Sequence, residues 1–185
     1  GLGIPCTATV ESGPLAILRD SVGSKTALTS TDVAFRIAPR LNAAGRMDDP
    51  MLALHAILRG GGHIDHLHQL NRMRQDKTEI LIQSARKNVD MESPLIATAS
   101  KDYPHGIDGL IAGSLTESTG RPTIIAAIDG EHATASLRSP ACYHVTEGLS
   151  RIADLLISYG GHAQAAGCSF SMQHWEEIQD RLGED

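Results

Sequence analysis

Gly160-Gly161-His162-Ala163-Gln164-Ala165-Ala166-Gly167, GGHAQAAG, is the stretch on which the reading of this chain turns. Its two leading glycines carry no Cβ and tolerate positive φ, so the backbone there can approach a ligand closely. His162 follows at once, then only small residues and one glutamine. Backbone N–H groups and an imidazole in such a stretch suit a shallow anion pocket. A tight turn ahead of a short packed helix is the plainer alternative, and for GGH in isolation it is the better one. The surrounding sequence shifts that balance.

From Ser93 onward the pattern is α/β. Residues 95–99 read as a short buried strand, and 108–119 as a helix stopped by Gly120-Arg121-Pro122. Residues 123–128 read as a second strand. Asp129-Gly130 is the pair favoured in two-residue type I′ hairpins, and it returns the chain as a third strand over 131–138. Residues 145–158 read as a helix running up to GGHAQAAG, 168–171 as a last strand and 174–182 as a closing helix.

On the other side of Ser93 the pattern is helical. Residues 12–22 and 50–59 read as short helices, with a third starting from Thr31 as N-cap. Pro39 is expected to break or kink that third helix. Gly60-Gly61-Gly62 marks the clearest boundary. Residues 63–91 hold neither Gly nor Pro, keep near-helical apolar spacing, and are polar on every face around Arg74–Glu79. Such a helix suits a bridge between domains, spanning roughly 40 Å at 1.5 Å per residue. The fold class is therefore α/β, with a helical first part, a long helix, and a mixed β-sheet flanked by helices.

Composition narrows the function. The chain has 185 residues, 41% hydrophobic and 21% charged, ordinary for a globular protein. Aromatics are only 3%, which leaves almost no base-stacking platform, so any nucleic acid would be held mainly by its backbone. A net charge of −6 argues against a broad basic surface but not against a local phosphate site. Cys6, Cys142 and Cys168 are isolated and read as reduced thiols of a cytoplasmic protein. No apolar run is long enough to span a membrane. The start at Gly1 without Met and the end at Asp185 suggest a fragment.

Three polar groups stand out. Along the third strand, Ala133, Ala135 and Leu137 share one face, and His132, Thr134, Ser136 and Arg138 the other. The second set is a row of donors ending in a guanidinium suited to phosphate, with a solvated sheet face as the plainer reading of the strand alone. Arg40, Asn42 and Arg46 surround a Pro and a Gly and form a second phosphate candidate. His63, Asp65, His66 and His68 invite a metal-site reading, but solvent exposure at the start of the long helix is preferred, because catalytic metal sites draw ligands from separate elements. No metal ligand and no catalytic residue is assigned within this chain.

In order along the chain, these motifs resemble the RecJ branch of the DHH phosphoesterase family. Pro39-Arg40-Leu41-Asn42-Ala43-Ala44-Gly45-Arg46 resembles its PRxNAAGR motif, and Leu67-His68-Gln69-Leu70-Asn71-Arg72-Met73-Arg74 its LxxLNxxR interdomain helix. Ser136-Leu137-Arg138-Ser139 resembles SxRS, and GGHAQAAG resembles GGHxxAAG, of the DHH-associated C-terminal domain. The DHH motif and the upstream metal-binding aspartates are absent, and Asp65-His66-Leu67-His68 is no substitute. Tyr103-Pro104-His105-Gly106 stands where relatives often read Trp-His-Pro-Gly, so less weight falls on His105. The OB-fold that bacterial members usually carry is not expected within these 185 residues, and residues 1–30 match the family only loosely.

The resemblance implies residues 1–62 as the tail of the catalytic DHH domain, 63–91 as the bridging helix, and 92–185 as the DHH-associated substrate-binding domain. It implies a metal-dependent exonuclease degrading single-stranded DNA 5′ to 3′, with two Mn²⁺ or Mg²⁺ ions held outside this chain. Arg40, Asn42 and Arg46 would form the phosphate-facing edge of the DHH lobe. Ser136 and Arg138 would hold backbone phosphates, and His162, set by Gly160 and Gly161, would donate to a phosphate or nucleotide oxygen. Single-stranded DNA or short oligonucleotides are the implied partners, with single-strand-binding or other repair proteins beside them. The chain alone is expected to be inert. Two alternatives remain: a nanoRNase/pAp phosphatase or cyclic dinucleotide phosphodiesterase of the same family, and a non-catalytic RecJ-like nucleic-acid-binding scaffold.

Overall fold

The computed structural model describes residues 13–23 and 29–184. Cys6 and part of the first expected helix lie outside the described residues. The chain divides into two compact units, Gly1–Asp76 and Lys77–Asp185.

The first unit is helical. It holds α1 (Pro14–Ser21), α2 (Ser30–Asp32), a π-helical turn (Val33–Ile37), α3 (Ala38–Met47) and α4 (Met51–Arg59). The helix α5 (Gly62–Asn88) begins there and carries the boundary between the units. Leu18, Ile37, Ala43, Ala44, Ala56, Ile64, Leu67 and Leu70 form the core of this unit. The N-cap is Thr29 and not Thr31, because only Thr29 has an acid three residues on. Its Oγ1 accepts from Asp32 N–H at 3.1 Å, while Asp32 Oδ2 accepts from Thr29 N–H at 3.1 Å.

Pro39 perturbs the helix without breaking it, the milder of the two outcomes expected. A proline cannot donate to the carbonyl four residues back, and its ring crowds that carbonyl. Here the preceding turn widens to the π form, with Ala38 N–H bonding Val33 O, and the chain continues into α3. Phe35, within this turn, is 77% exposed.

The second unit is α/β. A five-stranded sheet in the order β1-β2-β3-β5-β4 is built from β1 (Ile96–Ser100), β2 (Thr123–Asp129), β3 (His132–Arg138), β4 (Leu156–His162) and β5 (Ala165–Ser171). β1 and β2 are parallel, joined through α6 (Asp108–Thr119), and the other pairs are antiparallel. Ile124 and Ile125 are both fully buried, so β2 is covered on both faces, as its unbroken apolar run requires. One sheet face, with Ala133, Ala135, Leu137, Ala166, Cys168 and Phe170, packs with residues of α7 (Val145–Arg151) and α8 (Trp175–Gly183). The α6 helix packs against β2 and β3. Burial pushes the Cys168 thiol up to about 12, so it stays an unreactive part of the core. Cys142 is also unpaired, and exposed.

Two expectations are corrected. The β2–β3 turn is Gly130-Glu131, since Asp129 already pairs with His132, and Gly130 supplies the positive φ of 60°. The helix expected over 145–158 ends at Arg151. A 3-10 turn (Ala153–Leu155) leads into β4, and GGHAQAAG is itself a β-hairpin, not a turn before a helix. His162 pairs with Ala165 across Ala163-Gln164.

Within this hairpin the two glycines differ. Gly161 has φ 145°, and a Cβ there would stand 2.5 Å from both Ala165 O and Ala166 Cα. A Cβ on Gly160 would meet nothing within 4 Å. Gly161→Ala should therefore lower stability by roughly 2–3 kcal/mol, and Gly160→Ala by no more than about 0.5 kcal/mol. Urea unfolding of the two variants checks this, and equal losses would contradict the hairpin geometry.

Candidate nucleic-acid interface

Residues directly opposite in neighbouring strands put their side chains on the same sheet face. Arg138 pairs with Ala165, and Ala165 with His162. Ser136 pairs with Gly167, and Gly167 with Gly160. These two rows lie on the face opposite the core of Ala133, Ala135 and Leu137. Arg138 and His162 thus flank a floor of Ala165, Gly167 and Gly160, about 10 Å apart at two strand spacings. The floor carries no side chain larger than a methyl group.

The start of α6 borders this floor. A Cβ on Gly109 would stand 2.8 Å from Arg138 Nη2 and 3.5 Å from Ser136 Oγ, so only glycine leaves the guanidinium in place. Arg138 Nη1 donates to Leu137 O at 2.7 Å, and Thr116 Oγ1 donates to Arg138 O at 3.3 Å. Asp108, only 5% exposed, accepts from Gly109 N–H at 2.7 Å. Burial holds its carboxyl above the ordinary aspartate range, against the pull of the Gly109 and Ser136 hydrogen bonds and of the His105 and Arg138 charges. Sequence reasoning passed over Asp108. An acid in the first turn of a helix that begins beside Gly109 was the available signal.

The hairpin tip is tied down at every carbonyl. Thr146 Oγ1 donates to His162 O at 2.7 Å, Val145 N–H donates to Ala163 O at 2.9 Å, and Ser139 N–H donates to Gln164 O at 3.1 Å. Ser139 Oγ lies within reach of the carbonyls of Tyr143 (2.8 Å) and Ala163 (3.2 Å). The last serine of SLRS therefore holds the turn of GGHAQAAG, while Ser136 and Arg138 stand on the open face.

In the helical unit the expected trio separates. Asn42 and Arg46 are one turn apart on α3, and Arg40 lies on roughly the opposite side. Asn42 is exposed, and the charge of half-buried Arg46 bears on Arg74. Arg40 Nε donates to His68 Nδ1 at 2.9 Å, and Arg40 Nη1 to the Arg36 carbonyl. With Nδ1 accepting, the His68 proton sits on Nε2, which faces Ser21 Oγ at 2.9 Å. Burial, then the Arg40 charge, lower the His68 pKa, in keeping with a neutral ring. His68 is thus a half-buried partner of Arg40, not a solvated side chain. His63 lies against His55, ring centroids 5.6 Å apart. Among the described residues no three His, Cys, Asp or Glu side chains gather in one place. Among them, too, no helix is long and apolar enough to cross a membrane.

Residues 92–184 match the DHHA1 domain family, and the chain belongs to that family. More particularly it is RecJ-like. It is 33% identical to the single-stranded-DNA-specific exonuclease RecJ of Thermus thermophilus over 158 residues, 83% of this chain and 23% of that protein. It is 30% identical to the same-named exonuclease of Bacillus subtilis over 162 residues, 82% of this chain and 21% of that one. The crystal structure of Thermus thermophilus RecJ in complex with Mn²⁺ superposes with a TM-score of 0.84 at 30% identity, over 92% of this chain and 26% of that one. The chain thus spans about a fifth of the length of these curated relatives.

The buried Asp108 gives a pH test. With its pKa raised on folding, the folded state binds more protons than the unfolded chain between the two values. Its contribution to stability is therefore fullest at low pH and is lost as pH rises through the folded pKa. Asp108→Asn should gain on the wild type as pH rises from mildly acidic to neutral, read as the gap between urea midpoints. Parallel pH profiles would show that Asp108 carries no burial penalty.

Proposed function

We propose that this chain is the nucleic-acid-gripping part of a RecJ-like exonuclease that hydrolyses single-stranded DNA 5′ to 3′. The supporting observation is the strand register that sets Ser136 and Arg138 on one side of a side-chain-free floor and His162 on the other. A phosphodiester backbone needs close approach to the protein, a fork of donors, and little steric bulk between them. Gly160, Gly167 and Ala165 supply the approach, Arg138 the guanidinium fork with Ser136 beside it, and His162 a further N–H across the floor. Gly161 lets the hairpin close, and the ties from Ser139, Val145 and Thr146 fix its tip before substrate arrives. Arg40, Asn42 and Arg46 add phosphate contacts from the helical unit, on two sides of α3.

In this reading residues 1–62 end the catalytic domain, 63–91 bridge, and 92–185 bind substrate. Two divalent ions, Mn²⁺ or Mg²⁺, are held by other parts of the longer enzyme, and they supply the activated water. The complexes with these ions among RecJ structures support that assignment. The chain by itself does not hydrolyse DNA. A role in DNA repair and recombination in the cytoplasm, beside single-strand-binding proteins, accompanies this reading. The two curated relatives, both single-stranded-DNA-specific, favour it over a small-nucleotide phosphodiesterase or a non-catalytic scaffold.

Arg138→Ala tests the proposal directly. It should weaken binding of a single-stranded oligonucleotide and reduce the slope of log K against log salt by about 0.7, the single-strand value for one lost phosphate contact. An unchanged slope, measured by anisotropy across a salt series, would remove Arg138 from the interface.

A further inference from the structure

Ser136 stands on the floor beside Arg138, yet its hydroxyl has a second claimant. A serine hydroxyl carries one proton, and an ionised carboxylate can only accept. The Asp108 carboxylate accepts from Ser136 Oγ–H and, at 2.7 Å, from Gly109 N–H. While Asp108 is charged, the Ser136 proton is therefore spent on it, and Ser136 turns only lone pairs to the floor. A phosphodiester oxygen is an acceptor too. The serine and a bound phosphate then repel each other where a hydrogen bond is needed.

The charge of Asp108 opposes a phosphate as well. The residue is only 5% exposed, so little water screens it, and it precedes the glycine that packs against Arg138 Nη2 and Ser136 Oγ. A phosphate held by Arg138 would face a buried like charge, which favours the neutral acid. Among the described residues the charges that bear on Asp108 are those of His105, in the loop ahead of α6, and Arg138, on β3. The other charged or titratable groups of the packed elements are remote. Glu117 lies about 13 Å along α6. Asp129 and His132 lie at the far end of the β2–β3 hairpin, roughly 20 Å from Arg138. His162 stands across the floor, about 10 Å from Arg138.

We propose that Asp108 is a positioning residue whose protonation reverses its hydrogen bond with Ser136 and so turns the Ser136 hydroxyl toward a phosphate on the floor. Neutral Asp108 donates its O–H to Ser136 Oγ, and the Ser136 proton passes to a phosphate oxygen. The added proton comes from solvent. Arg138 exchanges the carboxylate charge for that of the phosphate. Binding of nucleic acid is thus coupled to uptake of one proton. Affinity is full below the pKa of Asp108 in the free protein and falls as pH rises above it, by up to about tenfold per pH unit. The inference rests on the sheet reading above. It adds a residue outside SLRS and GGHAQAAG, and a control of that site by pH.

The test is anisotropy of a labelled oligodeoxythymidylate with the 185-residue chain over a pH series at fixed salt. Asp108→Asn keeps the shape of the acid and donates permanently to Ser136 Oγ. It should match the wild type at acid pH and bind at least about fivefold tighter at neutral pH. His105 and His162 lose charge over the same range and with the same sign, so the comparison is repeated with both replaced by Gln, where the gain should persist. Ser136→Ala should abolish the gain. Parallel profiles of the wild type and Asp108→Asn overturn the inference, and so does a gain lost with the two histidines. A gain that survives Ser136→Ala reduces Asp108 to a repelling charge and overturns the hydroxyl's role. Calorimetry in two buffers of different ionisation enthalpy needs no change at Asp108. The chain with both histidines replaced should still take up protons on binding, and no uptake overturns the inference. If Arg138→Ala weakens binding and flattens the salt slope while Asp108→Asn tracks the wild type, this inference alone fails. If Arg138→Ala changes neither, the sheet reading falls and this inference with it. A wild-type chain that binds no oligomer overturns both.

Discussion

The register of β5 between β3 and β4 is the constraint on which the second unit depends. Side chains alternate with a period of two, so a slip of one residue would send every side chain of a strand to the other face. In the observed register Ala166, Cys168 and Phe170 enter the core beside Ala133, Ala135 and Leu137. The same register places Ala165 and Gly167 between the polar residues of β3 and the exposed β4. Fully burying Phe170 is worth about 1.5–3 kcal/mol, and a slip would forfeit it. The packing of one face thus fixes the chemistry of the other.

The hairpin ties turn that register into a rigid site. A two-residue turn without glycine at its tip gains little from its own sequence, since Ala163 and Gln164 have no special turn chemistry. The carbonyls of His162, Ala163 and Gln164 are bonded by Thr146, Val145 and Ser139 instead. SLRS and GGHAQAAG lie more than a strand apart in sequence, yet they act as one structural unit. Ser139 belongs to one motif and secures the turn of the other.

Legibility in the sequence followed how local each interaction is. β3 was readable because its alternation of small apolar and polar residues is complete in seven residues. The long helix was readable because nothing in 63–91 interrupts it. β4 was not readable. Val145, Leu149 and Ile152 set a helical spacing that hid the change at Ala153, and the strand beyond is an exposed edge with two glycines, with no apolar alternation of its own. Its identity comes from pairing with β5. His68 was misjudged for a similar reason: its partners, Arg40 and Ser21, are 28 and 47 residues away. Nothing local in the sequence distinguishes Asp108 from an ordinary first-turn acid, and only the approach of α6 to β3 makes it a buried one.

Pro39 shows how one local restriction reaches the surface. Its missing N–H and its ring exclude a regular α-turn before it, yet the Thr29–Asp32 capping box has already started a helix, and Ala43 and Ala44 need α3 in place to fill the core. A π-turn satisfies both demands, because it widens one turn without ending the helix. The extra residue has to go somewhere, and Ile37 keeps its place in the core. Phe35 and Arg36, both exposed, line a cavity with Arg40 and Arg72. A residue that hydrophobicity alone would put inside thus stands at the surface, which composition could not reveal.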